Sequence, residues 1–175
     1  MLKTIGIAVV VVIAGLVMFA ATKPDTFTVR RAASINAPPE KIFPLINEFD
    51  RWSAWSPYEK KDPAMKRTRS GPESGKGAVY QWDGNGDVGK GRMEIARASP
   101  PSKVTINLHF EKPFEAHNIV DFTLEPEGDA THVTWAMRGA MPFVSKVISI
   151  FVDMDKMIGT DFEAGLANLK ALAEK

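Results

Sequence analysis

Cysteine is absent from the 175-residue chain. This excludes disulfides, thiolate nucleophiles and cysteine-ligated metals. It leaves the compartment open, because a disulfide-free protein folds on either side of a membrane. Charge imbalance is missing too: 22 basic residues face 21 acidic ones, a formal net charge of +1. Such a chain lacks the basic surface that phosphates require, so no nucleic-acid partner is expected. Histidine is scarce. His109, His117 and His132 are the only three, and no two have the close helical spacing of a zinc site. By strand alternation each falls opposite the apolar positions of its segment, on an outward face. No metal and no cofactor is expected. The glycine-rich GNGDVGKG, Gly84 to Gly91, lacks the Gly-Lys-Ser/Thr ending of a phosphate loop. No serine sits in a nucleophile elbow. Asp83, Asp87 and Glu94 surround the same hairpin without pairing for acid–base work. No catalytic constellation is visible.

What is present begins at the N-terminus. IGIAVVVVIAGLVMFAA, Ile5 to Ala21, carries no charge and no strong polar group. As a helix it would reach ~26 Å, close to the lower limit for crossing a bilayer. A cleaved signal peptide would show a more basic start, a shorter apolar core and small residues before the cut. Here Lys3 is the one charge ahead of the run, and Phe19 spoils the best cut, after Ala21. The expectation is an uncleaved membrane anchor over residues 1–22, a linker over 23–26 containing Pro24, and one folded domain over 27–175. Lys23, Arg30 and Arg31 follow the run and favour an inward domain. The very short leading tail favours an outward, periplasmic-type domain, which is the orientation adopted.

Beyond the linker, Phe27 to Ile35 reads as a first strand. Asn36 followed by Pro38-Pro39-Glu40 reads as a helix start with a capping side chain. Ile42, Leu45, Ile46 and Phe49 form that helix's apolar stripe. A short turn holding Trp52, Trp55 and Tyr58 comes next. Met65 to Gly71 is a weak, polar edge strand. Gly77 to Ser99 reads as a hairpin about the Asp83–Asp87 turn. Three period-two segments follow. In them Val104, Ile106, Leu108 and Phe110, then Val120, Phe122 and Leu124, then Val133, Trp135 and Met137 alternate with polar residues. This is an antiparallel sheet with one covered face. Its cover is a C-terminal amphipathic helix running from Phe143, with Val147, Phe151, Met154, Ile158, Phe162, Leu166, Leu169 and Leu172 on one side. The fold class is α+β: a curved sheet of about six or seven strands gripping one long helix, with two short helices after the first strand.

The inward positions have two readings. Tyr80, Trp82, Met93, Ile95, Leu108, Asn118, Val120, Phe122 and Trp135 from the sheet, with Phe151, Ile158 and Phe162 from the helix, either fill a core or line an apolar cavity. In a cavity, Tyr80, Asn118 and Arg31 would be the polar punctuation of mostly hydrophobic walls. Composition leaves both open.

Three stretches carry a resemblance: INAPPEKIFPLINEFDRWSAWSPYEKKDPAMK, YQWDGNGDVGKGRMEI and MIGTDFEAGLANLKALAE. In this order they resemble the polyketide cyclase/dehydrase-like branch of the SRPBCC superfamily, the START-like helix-grip proteins, from Phe27 to Lys175. The resemblance implies a helix-grip fold with a deep apolar cavity closed by the C-terminal helix. It implies binding of a lipid, polyketide or quinone-like molecule. It also places Trp52, Trp55 and Tyr58 at the cavity mouth. No single catalytic residue set comes with it. The expectation is a membrane-tethered binder of a hydrophobic small molecule. The alternatives are a cyclase or dehydratase with Tyr80 as acid and Asn118 as polarising group, and a co-chaperone-like interaction module.

Overall fold

The computed structural model describes residues 2–175, with positions 2, 3, 8 and 9 described by backbone alone. Helix α1 (Leu2–Ala21) leads into strand β1 (Thr26–Ile35). Helix α2 (Pro39–Asn47), a 3₁₀ turn (Phe49–Ala54) and helix α3 (Pro57–Lys61) follow. Strands β2 (Lys66–Ser70), β3 (Val79–Asp83), β4 (Lys90–Ser99), β5 (Lys103–Lys112), β6 (Ala116–Glu127) and β7 (Ala130–Ala140) come next. The chain closes with α4 (Phe143–Ile148) and α5 (Met154–Ala173). All seven strands join one antiparallel sheet in the order β1-β7-β6-β5-β4-β3-β2. Helix α1 is long and apolar enough to cross a bilayer, a test that a signal sequence also passes.

The registers explain which side chains share the concave face. Val29 lies opposite Met137, Val120 opposite Met137 from the other side, and Phe122 opposite Trp135. Leu108 faces Asn118 across β5 and β6, and Met93 faces Leu108. Register shifts in β4 at Lys90/Gly91 and Ile95/Arg97 mark irregularities, the kind that bends a sheet.

Two sequence expectations are corrected at helix boundaries. Pro38, not Asn36, precedes α2, and no side chain caps it. Pro39 supplies the fixed φ of a first helical position instead. The C-terminal run is not one helix but two. Asp153 accepts a hydrogen bond from the Lys156 backbone N–H at 2.9 Å, capping α5 at its own N-terminus. An aspartate favours that role over a helix interior. Phe151 therefore falls in the break between α4 and α5, on the surface.

Helix α5 treats the sheet differently along its length. Its C-terminal half inserts Leu166, Leu169 and Ala173 into a solid core with Ile42, Ile46, Trp55, Phe122 and Leu124. Gly165 permits the close approach: a Cβ there would lie 2.6 Å from Cζ3 of Trp135. The N-terminal half stands over open space. Arg31 of β1 holds that half in place, donating to Glu163 Oε1 at 2.6 Å and to Asp155 Oδ2 at 2.9 Å.

Candidate functional site: a cavity beneath the last helix

Between the sheet and the N-terminal half of α5 lies a cavity of ≈ 590 Å³. Strands build one wall with Tyr80, Trp82, Met93, Leu108, Phe110, Asn118, Val120, Trp135 and Met137. Helix α5 roofs it with Met154, Met157, Ile158 and Phe162, and α3 closes one side with Tyr58 and Lys61. Strand alternation is what aims these residues inward, and the bend of the sheet is what keeps them from meeting the helix.

Nine of the sequence-expected lining residues border this space: Tyr80, Trp82, Met93, Leu108, Asn118, Val120, Trp135, Ile158 and Phe162. Ile95 and Phe122 face the same way but belong to the solid part of the core, each 0% exposed. Phe151 is absent from the walls for the reason given above, and Arg31 is spent on α5 rather than on the cavity. Of the three aromatics expected at the mouth, Trp52 and Tyr58 touch the cavity and Trp55 does not. Trp55 sits against Trp52, Phe122 and Trp135 at centroid distances of 4.9, 6.0 and 5.6 Å. Its indole N–H donates to Leu45 O at 2.8 Å. That is a fastening of the 3₁₀ turn to α2.

The rim lies elsewhere. The exposed lining residues include Phe114 in the β5–β6 turn, Ala140 at the end of β7, Pro142 just beyond it, and Met157 of α5. They mark the opening at the end of the sheet where Thr26 pairs with Ala140.

Polar chemistry in the walls centres on a carboxylate that sequence reasoning missed. Glu59 is turned inward. It accepts the Tyr80 hydroxyl at 2.5 Å through Oε1 and the Arg67 Nε–H at 2.7 Å through Oε2. Burial, then the hydrogen bond to Glu59, raises the Tyr80 pKa well above the ordinary phenol value. Tyr58 is raised likewise, by burial first and by the charge of Asp161 second. Lys61 donates to Asp161 at 2.6 Å, bridging α3 to α5 beside it. Both phenols thus stay protonated, and that of Tyr80 is committed to Glu59. Tyr80 is poorly placed to protonate a substrate. The arrangement can enclose, orient and desolvate an apolar molecule.

A family profile described as polyketide cyclase / dehydrase and lipid transport matches residues 26–174. No curated protein matches the chain. Among solved structures, protein CV1439 from Chromobacterium violaceum is similar at 14% identity and a TM-score of 0.61, over 87% of this chain and 99% of that one. The Aha1 dimer from Colwellia psychrerythraea is similar at 18% identity and a TM-score of 0.61, over 85% and 96%. Ginseng major latex-like protein 151 from Panax ginseng is similar at 13% identity and a TM-score of 0.60, over 87% and 100%. At these identities the neighbours establish the helix-grip fold alone. The profile spans nearly all of the chain outside α1, and with the fold it is decisive: the chain belongs to the polyketide cyclase/dehydrase and lipid transport family.

Proposed function

We propose that this protein binds an apolar small molecule, a lipid, polyketide or quinone-like compound, in the cavity beneath α5, and that α1 tethers it to a membrane. The cavity carries the reading. Its ≈ 590 Å³ lies inside the roughly 300–1,000 Å³ typical of small-molecule sites. Aromatic, aliphatic and thioether groups dominate its walls, with Asn118 as a neutral polar group that can orient a ligand. The description of the family, which names lipid transport, agrees with it.

The tether is supported by where the opening lies. Helix α1 touches α4, and the segment after α1 is stapled to the rim. Met141 N–H donates to Asp25 O at 2.7 Å, and Lys146 Nζ donates to Asp25 Oδ1 at 2.6 Å. Exposed apolar side chains gather at this end: Phe114, Phe143, Val144, Phe151 and Met157. Exposed apolar side chains grouped at one end suit a docking face. A bilayer beside it lets a ligand pass from lipid to cavity without entering water.

The experiment uses the full chain in lipid vesicles containing a diazirine-bearing acyl probe. After irradiation, label is expected on peptides from β5 to β7 and from α5. The cavity-filling changes Val120→Trp and Met93→Trp should remove it. Label confined to α1, or unchanged by both substitutions, overturns the proposal.

A further inference from the structure

The β5–β6 hairpin brings together three side chains that the sequence keeps apart. His109 and His117 are direct cross-strand partners, so they leave the same, outer, face of the sheet. Their rings stack at 4.0 Å between centroids, with planes 20° apart. Glu115, two residues before His117, turns its Oε1 to 3.5 Å from Nε2 of each histidine. One donor atom from each of the three residues lies within 4.8 Å of the other two. His109 Nε2 is shielded from water and has no hydrogen-bond partner among the described residues. A buried polar atom left unpaired is uncommon and calls for an explanation.

We propose that His109, Glu115 and His117 form a binding site for a divalent transition metal of the zinc class, placed at the lip of the cavity. The spacing fits. Two bonds of ~2.0–2.2 Å meeting at a tetrahedral angle separate their ligand atoms by about 3.3 Å, against the 3.5 Å found on two edges. These edges are too long for good hydrogen bonds. The lone pair of each Nε2 lies in its ring plane, so joint coordination requires the stacked rings to swing out of their near-parallel arrangement and converge on the ion. Imidazole and carboxylate together suit Zn²⁺, Ni²⁺ or Cu²⁺, whereas Mg²⁺ and Ca²⁺ prefer oxygen alone. Three protein ligands leave the fourth position to water.

Two nearby cations on β4 are already engaged. Arg92, opposite His109 on β4, donates to Glu94 at 2.7 Å. Lys90 pairs with Glu111 at 3.0 Å. The ligands straddle the turn that carries Phe114, so a bound ion clips that turn and sets the rim residue. The site stands on its own geometry and survives if the ligand proposal fails.

The test takes the full, tag-free chain in lipid nanodiscs, stripped with chelator and titrated calorimetrically with Zn²⁺. One equivalent should bind. His117→Ala and His109→Ala should each weaken binding by more than the roughly 10–100-fold that loss of an outer-shell partner costs. Glu115→Gln should weaken it less, and His132→Ala not at all. His117 and Glu115 are exposed, and unchanged far-UV circular dichroism verifies that these variants fold. Zn²⁺ should also slow amide exchange over residues 111–116 in the parent and not in His117→Ala. No saturable uptake, or uptake that His109→Ala and His117→Ala both leave intact, overturns the site. Uptake without slowed exchange overturns the clip.

Discussion

At the scale of single residues, the two neighbouring tryptophans divide the labour between framework and cavity. Both are buried, and both donate their indole N–H to α2 carbonyls, Trp52 to Ile46 O at 2.9 Å and Trp55 to Leu45 O at 2.8 Å. Only Trp52 reaches the cavity. Trp55→Ala is therefore expected to cost ~3–5 kcal/mol of stability in denaturant titration, while the folded fraction still takes up an apolar fluorophore with unchanged affinity. Loss of uptake in protein shown to be folded would contradict this assignment. Alternation in the sequence told which side chains face inward. It did not tell how deep each lies, because depth depends on the gap between sheet and helix. Phe122 obeys the same alternation as Val120, yet it meets Trp52 and Trp55 instead of open space, and Ile95, in step with Met93, is fully buried. Glu59 was hidden for a related reason. In the run Tyr58-Glu59-Lys60-Lys61 it reads as one more solvated charge, and its partner Tyr80 lies on another element.

At the scale of elements, helix α5 is both plug and roof, and the change occurs near Phe162. The Phe162 ring stacks on Trp135 at 4.1 Å with a 9° interplanar angle. Toward the C-terminus of that pair, leucines fill the interior. Toward the N-terminus, methionines and Ile158 overlook the hollow. Regular heptad-like spacing made the helix legible, but the cap at Asp153 competes with a continuous run, and sequence periodicity alone passed over it. The roofing half depends on Arg31. Hydrogen bonding from Arg31 holds the Asp155 carboxyl below its ordinary value of 3.8. A carboxylate depressed in the folded state adds stability above its unfolded value, and that stability is lost as pH falls through the folded one. Acid titration of the melting temperature should therefore show a loss beginning below about pH 4, and Arg31→Met should flatten part of it. A slope that the substitution leaves unchanged would show that the ion pair contributes nothing to holding the roof. Asp25 and Asp121 are depressed as well, so some acid sensitivity persists in the variant.

At the scale of the whole molecule, the opening, the apolar rim and the exit of α1 share one end of the sheet. The pairing of Thr26 with Ala140 puts them there, because β1 starts where β7 finishes. None of this was legible beforehand: the sequence showed an apolar run and a domain, but not their relative placement. Under the proposed function, rim chemistry controls exchange with the bilayer. Phe114→Asp combined with Met157→Asp should slow transfer of a fluorescent apolar ligand from vesicles by about tenfold or more, since burying one such side chain is worth ~1.5–3 kcal/mol. Stability should change little, because both residues are exposed, at 71% and 56%. Transfer at the parental rate would disconnect the rim from ligand entry.

The junction between α1 and the sheet limits how such a protein can work. Four residues, Thr22 to Asp25, separate the helix from β1. Even fully extended they reach only ~14 Å, and the bonds from Met141 and Lys146 to Asp25 pin the last of them. If α1 is the proposed tether, a domain on so short a leash does not ferry a ligand across an aqueous gap. Under the proposed function it is moored at the surface where α1 emerges, and whatever receives the ligand must travel to it.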